Sequence, residues 1–171
     1  MNVVLIGYRC SGKTVTGREL AGRLGRPFVD TDARVVREAG ASVEDMVREE
    51  GWERFRELES RVIRSVAGRD GLVISTGGGV VLREENIRVL RANGWLVWLD
   101  AGPRTLVRRM ADDEEHADQR PAFGEGDPLS ETAGALRKRA PMYRKAADLH
   151  VDTDGFTPSE TAARILTSIP R

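Results

Sequence analysis

The sequence predicts an α/β domain built on a largely parallel sheet. Short apolar runs alternate with amphipathic stretches of helical spacing, the pattern of strands joined by helical crossovers. The first apolar run, Val3-Val4-Leu5-Ile6, passes directly into Gly7-Tyr8-Arg9-Cys10-Ser11-Gly12-Lys13-Thr14. That segment fits G-x-x-x-x-G-K-[ST], a phosphate-binding loop that belongs between a strand and a helix. The 171 residues suit one domain of about 100 to 200 residues, so a single domain over 1–171 is expected.

Strands are expected at Val3 to Ile6, Pro27 to Val29, Leu72 to Ser75, Trp95 to Leu99 and Leu149 to Val151, with helices between them. After the loop, Val15, Leu20, Ala21 and Leu24 supply an apolar face at near-helical spacing. Asp30 and Asp32 stand where they could cap the next helix. Ser42-Val43-Glu44-Asp45 resembles a capping box in which Asp replaces Glu or Gln. Pro103 and Pro158 fit the first turn of a helix, and Ile165, Leu166 and Ile169 give the last helix a buried face. From Asp112 to Pro128 the chain is polar, contains glycine and proline, and has no apolar period. A loop of that length in a small domain is expected to be a lid or a disordered connection.

Basic and acidic residues balance at 27 each, which removes the general electrostatic reason to propose nucleic acid or an anionic membrane as a partner. An anion site must then be local. The lysines are Lys13, Lys138 and Lys145, so Lys13 is not background. A single cysteine, Cys10, forms no internal disulfide and suits a reducing cytosol. The N-terminal apolar run is too short to span a membrane and is consumed by the first strand. A cytoplasmic, soluble protein is expected.

In open parallel sheets ligands gather beyond the carboxyl ends of the strands. There the loop N–H groups and the following helix N-terminus would hold a polyphosphate. Lys13 would reach the β- and γ-phosphates and the Thr14 hydroxyl would meet Mg2+. Cys10 is open to a redox reading if the helix terminus lowers its pKa, beside the simpler one of a loop residue offering its N–H. For the carboxylate that Mg2+ favours, both Asp30 and Asp100 end strands, and Asp100 ends the more apolar one. Asp30 and Asp32, two apart in an extended segment, would point to one cleft. Gly77-Gly78-Gly79 is either a flexible turn or backbone laid against a ligand. Arg56 and Glu59, three apart on a helix, form either a surface ion pair or a guanidinium oriented for a carboxylate. Arg139 admits the same two readings.

Taken in order, Gly7 to Thr14, Asp30-Thr31-Asp32, Phe55-Arg56 with Glu59, Gly77-Gly78-Gly79, Leu99-Asp100-Ala101, Arg120-Pro121 and Arg139-Ala140-Pro141-Met142-Tyr143-Arg144 resemble the shikimate kinase family over nearly the whole chain. The resemblance implies a P-loop kinase of the nucleoside-monophosphate-kinase type: a five-stranded parallel sheet of order 2-3-1-4-5, helices on both faces, and a mobile lid at about 112–128. It implies transfer of the γ-phosphoryl group of MgATP to the 3-hydroxyl of shikimate, in aromatic amino-acid biosynthesis, by a protein expected to be a monomer. ATP would be held by Cys10, Ser11, Gly12, Lys13, Thr14, Val15, Arg109, Arg120 and Pro158, and Mg2+ by Thr14 and Asp30, with Asp100 structural. Shikimate would meet Asp32, Arg56, Gly77, Gly78, Gly79 and Arg139, with Glu59 orienting Arg56. Lys13, Asp32 and Arg120 would carry the chemistry. Trp52 after Gly51, and Cys10-Ser11 in the loop, depart from the common family pattern. A gluconate kinase of the same architecture, or a nucleotide-binding regulatory module without catalysis, are the alternatives.

Overall fold

Strand β1 (Asn2–Ile6) runs through the middle of a five-stranded, wholly parallel sheet in a computed structural model that describes residues 1–113 and 127–170. The other strands are β2 (Phe28–Asp30), β3 (Val73–Ser75), β4 (Gly94–Asp100) and β5 (Leu149–Asp152), in the order β2-β3-β1-β4-β5. Order and direction are those the resemblance implies. Each strand falls within about a residue of its expected place.

Helices cover both faces, which is why the strands read as continuous apolar runs and not as an alternation. Val3 and Leu5 of β1 point to one side, packing with Leu20 and Ala21 of α1 (Lys13–Leu24) and with Ala162 and Ile165 of α7 (Pro158–Ser168). Val4 and Ile6 point to the other side. There they meet Ile63 and Val66 of α3 (Val43–Ala67), Leu90 of α4 (Glu84–Ala92), and Tyr143 and Ala146 of α6 (Pro128–Ala146). Helix α5 (Pro103–Ala111) places Leu106 against Tyr8 and Ala101. A smaller cluster of Val35, Val43, Met46, Phe55, Leu58 and Val62 joins α2 (Thr31–Ala39) to α3.

Local signals in the sequence account for most helix ends. Ser42 caps α3 by accepting from the Asp45 N–H at 3.0 Å, and its own hydroxyl donates to Asp45 Oδ2 at 2.7 Å. Thr157 and Glu160 close a full capping box on α7, with Pro158 in its first turn. Asp127 caps α6 and Pro128 opens it, so the loop expected to run to Pro128 ends at Asp127. Val15 is half exposed and lies off the buried face of α1, contrary to the periodicity reading. Helix α3 is broken at Gly51, whose φ 81 and ψ 167 are non-helical. Among the described residues no helix is long and apolar enough to cross a membrane.

Candidate active site

The loop after β1 delivers Lys13 and Thr14 to the carboxyl end of the sheet. Cys10 (φ 58) and Gly12 (φ 93) are left-handed with Ser11 between them, an alternation that turns successive N–H groups inward into an anion-sized concavity. Among the described residues helix α1 has no side-chain cap, and its first turn holds no acidic residue, the kind of helix N-terminus that suits an anion. Lys13 is buried, and its Nζ donates to the Tyr8 carbonyl at 2.7 Å.

Of Asp30 and Asp100, the two strand-end carboxylates, Asp30 is the one beside Thr14. Thr14 Oγ1 donates to Asp30 Oδ2 at 2.7 Å and lies 3.4 Å from Ser75 Oγ. Asp30 Oδ1 accepts from the Asp32 and Ala33 N–H groups, capping α2. The capping reading of Asp30 is therefore met, while its other oxygen faces the Thr14 hydroxyl. Asp100 lies elsewhere, its Oδ1 on the Ala101 N–H and its Oδ2 against His150 Nε2 at 3.1 Å. A hydroxyl beside a carboxylate is a set of hard oxygen donors that suits Mg2+.

Asp32 reaches the cleft by another route than the one expected. It lies in the first turn of α2, not in an extended segment, so strand alternation does not aim it. The cap at Asp30 does, by starting the helix at Thr31. Asp32 Oδ1 and Glu59 Oε1 are both buried without a hydrogen-bond partner among the described residues. A Cβ on Gly77 would stand 2.5 Å from the first and 2.7 Å from the second. Burial, and then the charges of Asp30 and Glu59, push the Asp32 carboxyl up to about 7, against the opposing pull of Lys13 and Arg56. Burial also raises Glu59, opposed by Arg56.

Arg56 and Glu59 are not a surface pair. Glu59 is fully buried and its Oε2 takes Arg56 Nη1 at 2.7 Å. The Arg56 guanidinium lies against Gly79, in the space that a Cβ there would take. One residue earlier, Arg139 Nη1 donates to the Gly78 carbonyl at 3.3 Å while its guanidinium lies 5.3 Å from the centre of the Tyr8 ring. Two guanidinium groups thus flank adjacent glycines, a geometry suited to a carboxylate. The Gly77 N–H is already taken by Thr31 Oγ1 at 3.3 Å, so within the triple glycine it is not the group offered to a ligand.

Arg109 is drawn to the phosphate loop. Its Nη1 donates to Thr153 Oγ1 at 3.1 Å and to the Cys10 carbonyl at 3.4 Å, and its Nη2 to the Thr153 carbonyl at 2.9 Å. Pro158 opens α7 five residues beyond Thr153 and is exposed. Arg120 and nearly all of the expected lid, residues 114–126, lie outside the described residues. Sequence reasoning missed Thr31, Ser75, Tyr143 and Thr153. Two signals stood in the sequence, Thr31 between the aspartates and Tyr143 one helical turn after Arg139; Ser75 and Thr153 had none.

The model of the family described as shikimate kinase matches residues 9–170. The chain belongs to the shikimate kinase family. The shikimate kinase of Symbiobacterium thermophilum is 45% identical, covering 97% of this chain and 94% of the relative. That of Syntrophus aciditrophicus is 43% identical over 96% of this chain and 89% of its own. The solved shikimate kinase from Acinetobacter baumannii in complex with shikimate superposes with a TM-score of 0.91 at 31% identity, covering 98% of this chain and 91% of that one. Membership makes the protein an ATP-dependent kinase with an alcohol group as acceptor, and it takes the place of the gluconate kinase alternative.

Proposed function

We propose that the protein transfers the γ-phosphoryl group of MgATP to the 3-hydroxyl of shikimate, and that the site residues act as follows. The observation that carries the reading is the convergence of Asp32, the Arg56–Glu59 pair, Gly79 and Arg139 beside the phosphate loop. An acceptor there meets a carboxylate oxygen with an unfilled lone pair on one side and two guanidinium groups on the other, which is what a hydroxylated carboxylic acid requires.

Lys13 and the loop N–H groups, Cys10 to Thr14, hold the phosphates in line with the acceptor. Positioning and charge neutralisation supply most of the rate in such a transfer. Asp32 Oδ1 accepts the hydroxyl proton and aims its oxygen. A loose transition state asks little of the base in advance, so a carboxylate near neutrality suffices. Thr14 and Asp30 would hold Mg2+, which would supply positive charge to offset the negative charge of the phosphates. Arg56, fixed by Glu59, and Arg139 clamp the carboxylate. Arg109 and Pro158 flank the adenine. One copy of the chain supplies all these groups, consistent with a monomer, and the lone cysteine suits the cytosol.

The test is ADP release with MgATP and, in turn, shikimate, gluconate and nucleoside monophosphates. Shikimate-dependent release, reduced at least about 100-fold in kcat/KM by Arg139→Ala as expected for loss of a charge-assisted pair, supports the assignment. Turnover with another acceptor, or none, overturns it.

A further inference from the structure

One side chain at this site has no part in the scheme above. Tyr143 is fully buried in the core beneath the sheet. Its ring stacks on Trp98 at 5.8 Å and 20°, and Trp98 in turn stacks on His150 at 4.2 Å and 17°. A phenylalanine would fill this space equally well. The hydroxyl is the difference, and it donates to the Gly78 carbonyl, the same oxygen that receives Arg139 Nη1 at 3.3 Å. Arg139 and Tyr143 stand four apart on α6, one turn on one face. The carbonyl between the two guanidinium groups therefore has two donors, one rigid and one on a flexible side chain.

The arrangement matters when a carboxylate arrives. Arg139 must turn its N–H groups toward the substrate, and a half-buried carbonyl abandoned by its donor loses a hydrogen bond that solvent replaces only in part. We propose that Tyr143 is a positioning residue for substrate binding: it retains the Gly78 carbonyl and so releases Arg139 to the acceptor carboxylate. Burial pushes the phenol above its ordinary value, so it stays a donor across the working pH range. This inference rests on the carboxylate-clamp reading of Arg139.

The test is Tyr143→Phe, alone and combined with Arg139→Ala, measured in wild-type, single and double variants. The expected result is a KM for shikimate about 3- to 10-fold higher in Tyr143→Phe, as for loss of one hydrogen bond. KM for MgATP stays unchanged and kcat within about twofold. In the Arg139→Ala background the same substitution changes shikimate binding less than about twofold, because its effect passes through Arg139. Ile165→Val, a destabilising change on the opposite face of the sheet, lowers Tm without moving either KM. Should Tyr143→Phe be too weakly folded for kinetics, the Tm shifts on adding shikimate and MgATP separately give the same comparison. An unchanged shikimate KM, or an equal effect in both backgrounds, overturns the proposal. Wild-type protein inert toward shikimate removes the functional reading itself, a different result from an active wild type with an indifferent Tyr143→Phe.

Discussion

Asp32 concentrates the conflict between stability and function in this molecule. It is half-buried beside Asp30 and Glu59, with an enclosed oxygen that no group among the described residues satisfies, an arrangement that suits an incoming hydroxyl and burdens the ligand-free fold. Its folded pKa, about 7, lies above the ordinary 3.8. Between those values the folded state binds more protons than the unfolded one, so this group makes stability fall as pH rises from about 4 to about 7. Glu59, also raised, acts in the same sense. Asp32→Asn is therefore expected to lower kcat about 100-fold or more while raising Tm of the metal- and ligand-free protein by at least about 2 °C. It should also flatten the decline of stability between those pH values. Urea titrations at several pH values and steady-state kinetics check both halves. A variant with normal turnover, or one less stable than wild type at pH 7, contradicts this account.

At the scale of elements, what was legible in the sequence was whatever a local pattern encodes. The strands, the Ser42 cap and the prolines opening α5 and α7 all follow from short-range chemistry. Helix α2 was half legible: Asp30 and Asp32 were seen as cap or cleft residues, but the first turn of the helix, not strand alternation, aims Asp32. Thr153 and Ser75 carry no pattern at all, because their roles arise only when β5 and β3 bring them against Arg109 and Thr14. Gly51 is a further case, read only as the neighbour of an unusual Trp52. Its φ 81 and ψ 167 fall where residues with a Cβ are strained by about 1–3 kcal/mol, and Arg56 and Glu59 lie one and two turns beyond it. Gly51→Ala should lose stability of that order in urea unfolding and raise KM for shikimate more than KM for MgATP. Unchanged stability would show that the break in α3 is not imposed by Gly51.

For the whole molecule, the packing divides along the line that the substrate would bridge. The two large clusters clamp the sheet between helices, whereas α2 and the first half of α3 rest on their own cluster of Val35, Val43, Met46, Phe55, Leu58 and Val62. They join the sheet through β2, a three-residue edge strand that is only half-buried and pairs with β3 alone, and through the second half of α3, whose Ile63 and Val66 pack on the sheet. Units with a small separate core at a sheet edge open at lower free energy than the centre. Amides of α2 and of residues 43–50 are thus expected to exchange faster than those of β1 and β4. In the proposed complex shikimate touches Asp32 on α2 and Arg56 on α3 from one side, and Gly79 and Arg139 from the other. Opening this unit then requires releasing the ligand, and at about 100 times Kd that slows exchange by about 100-fold. Exchange in α7, on the opposite face, should change far less. Hydrogen exchange read by mass spectrometry with and without shikimate distinguishes the outcomes. Protection spread evenly over the sheet would mean that the edge unit does not open separately, and no protection in α2 would mean that the acceptor does not bridge it.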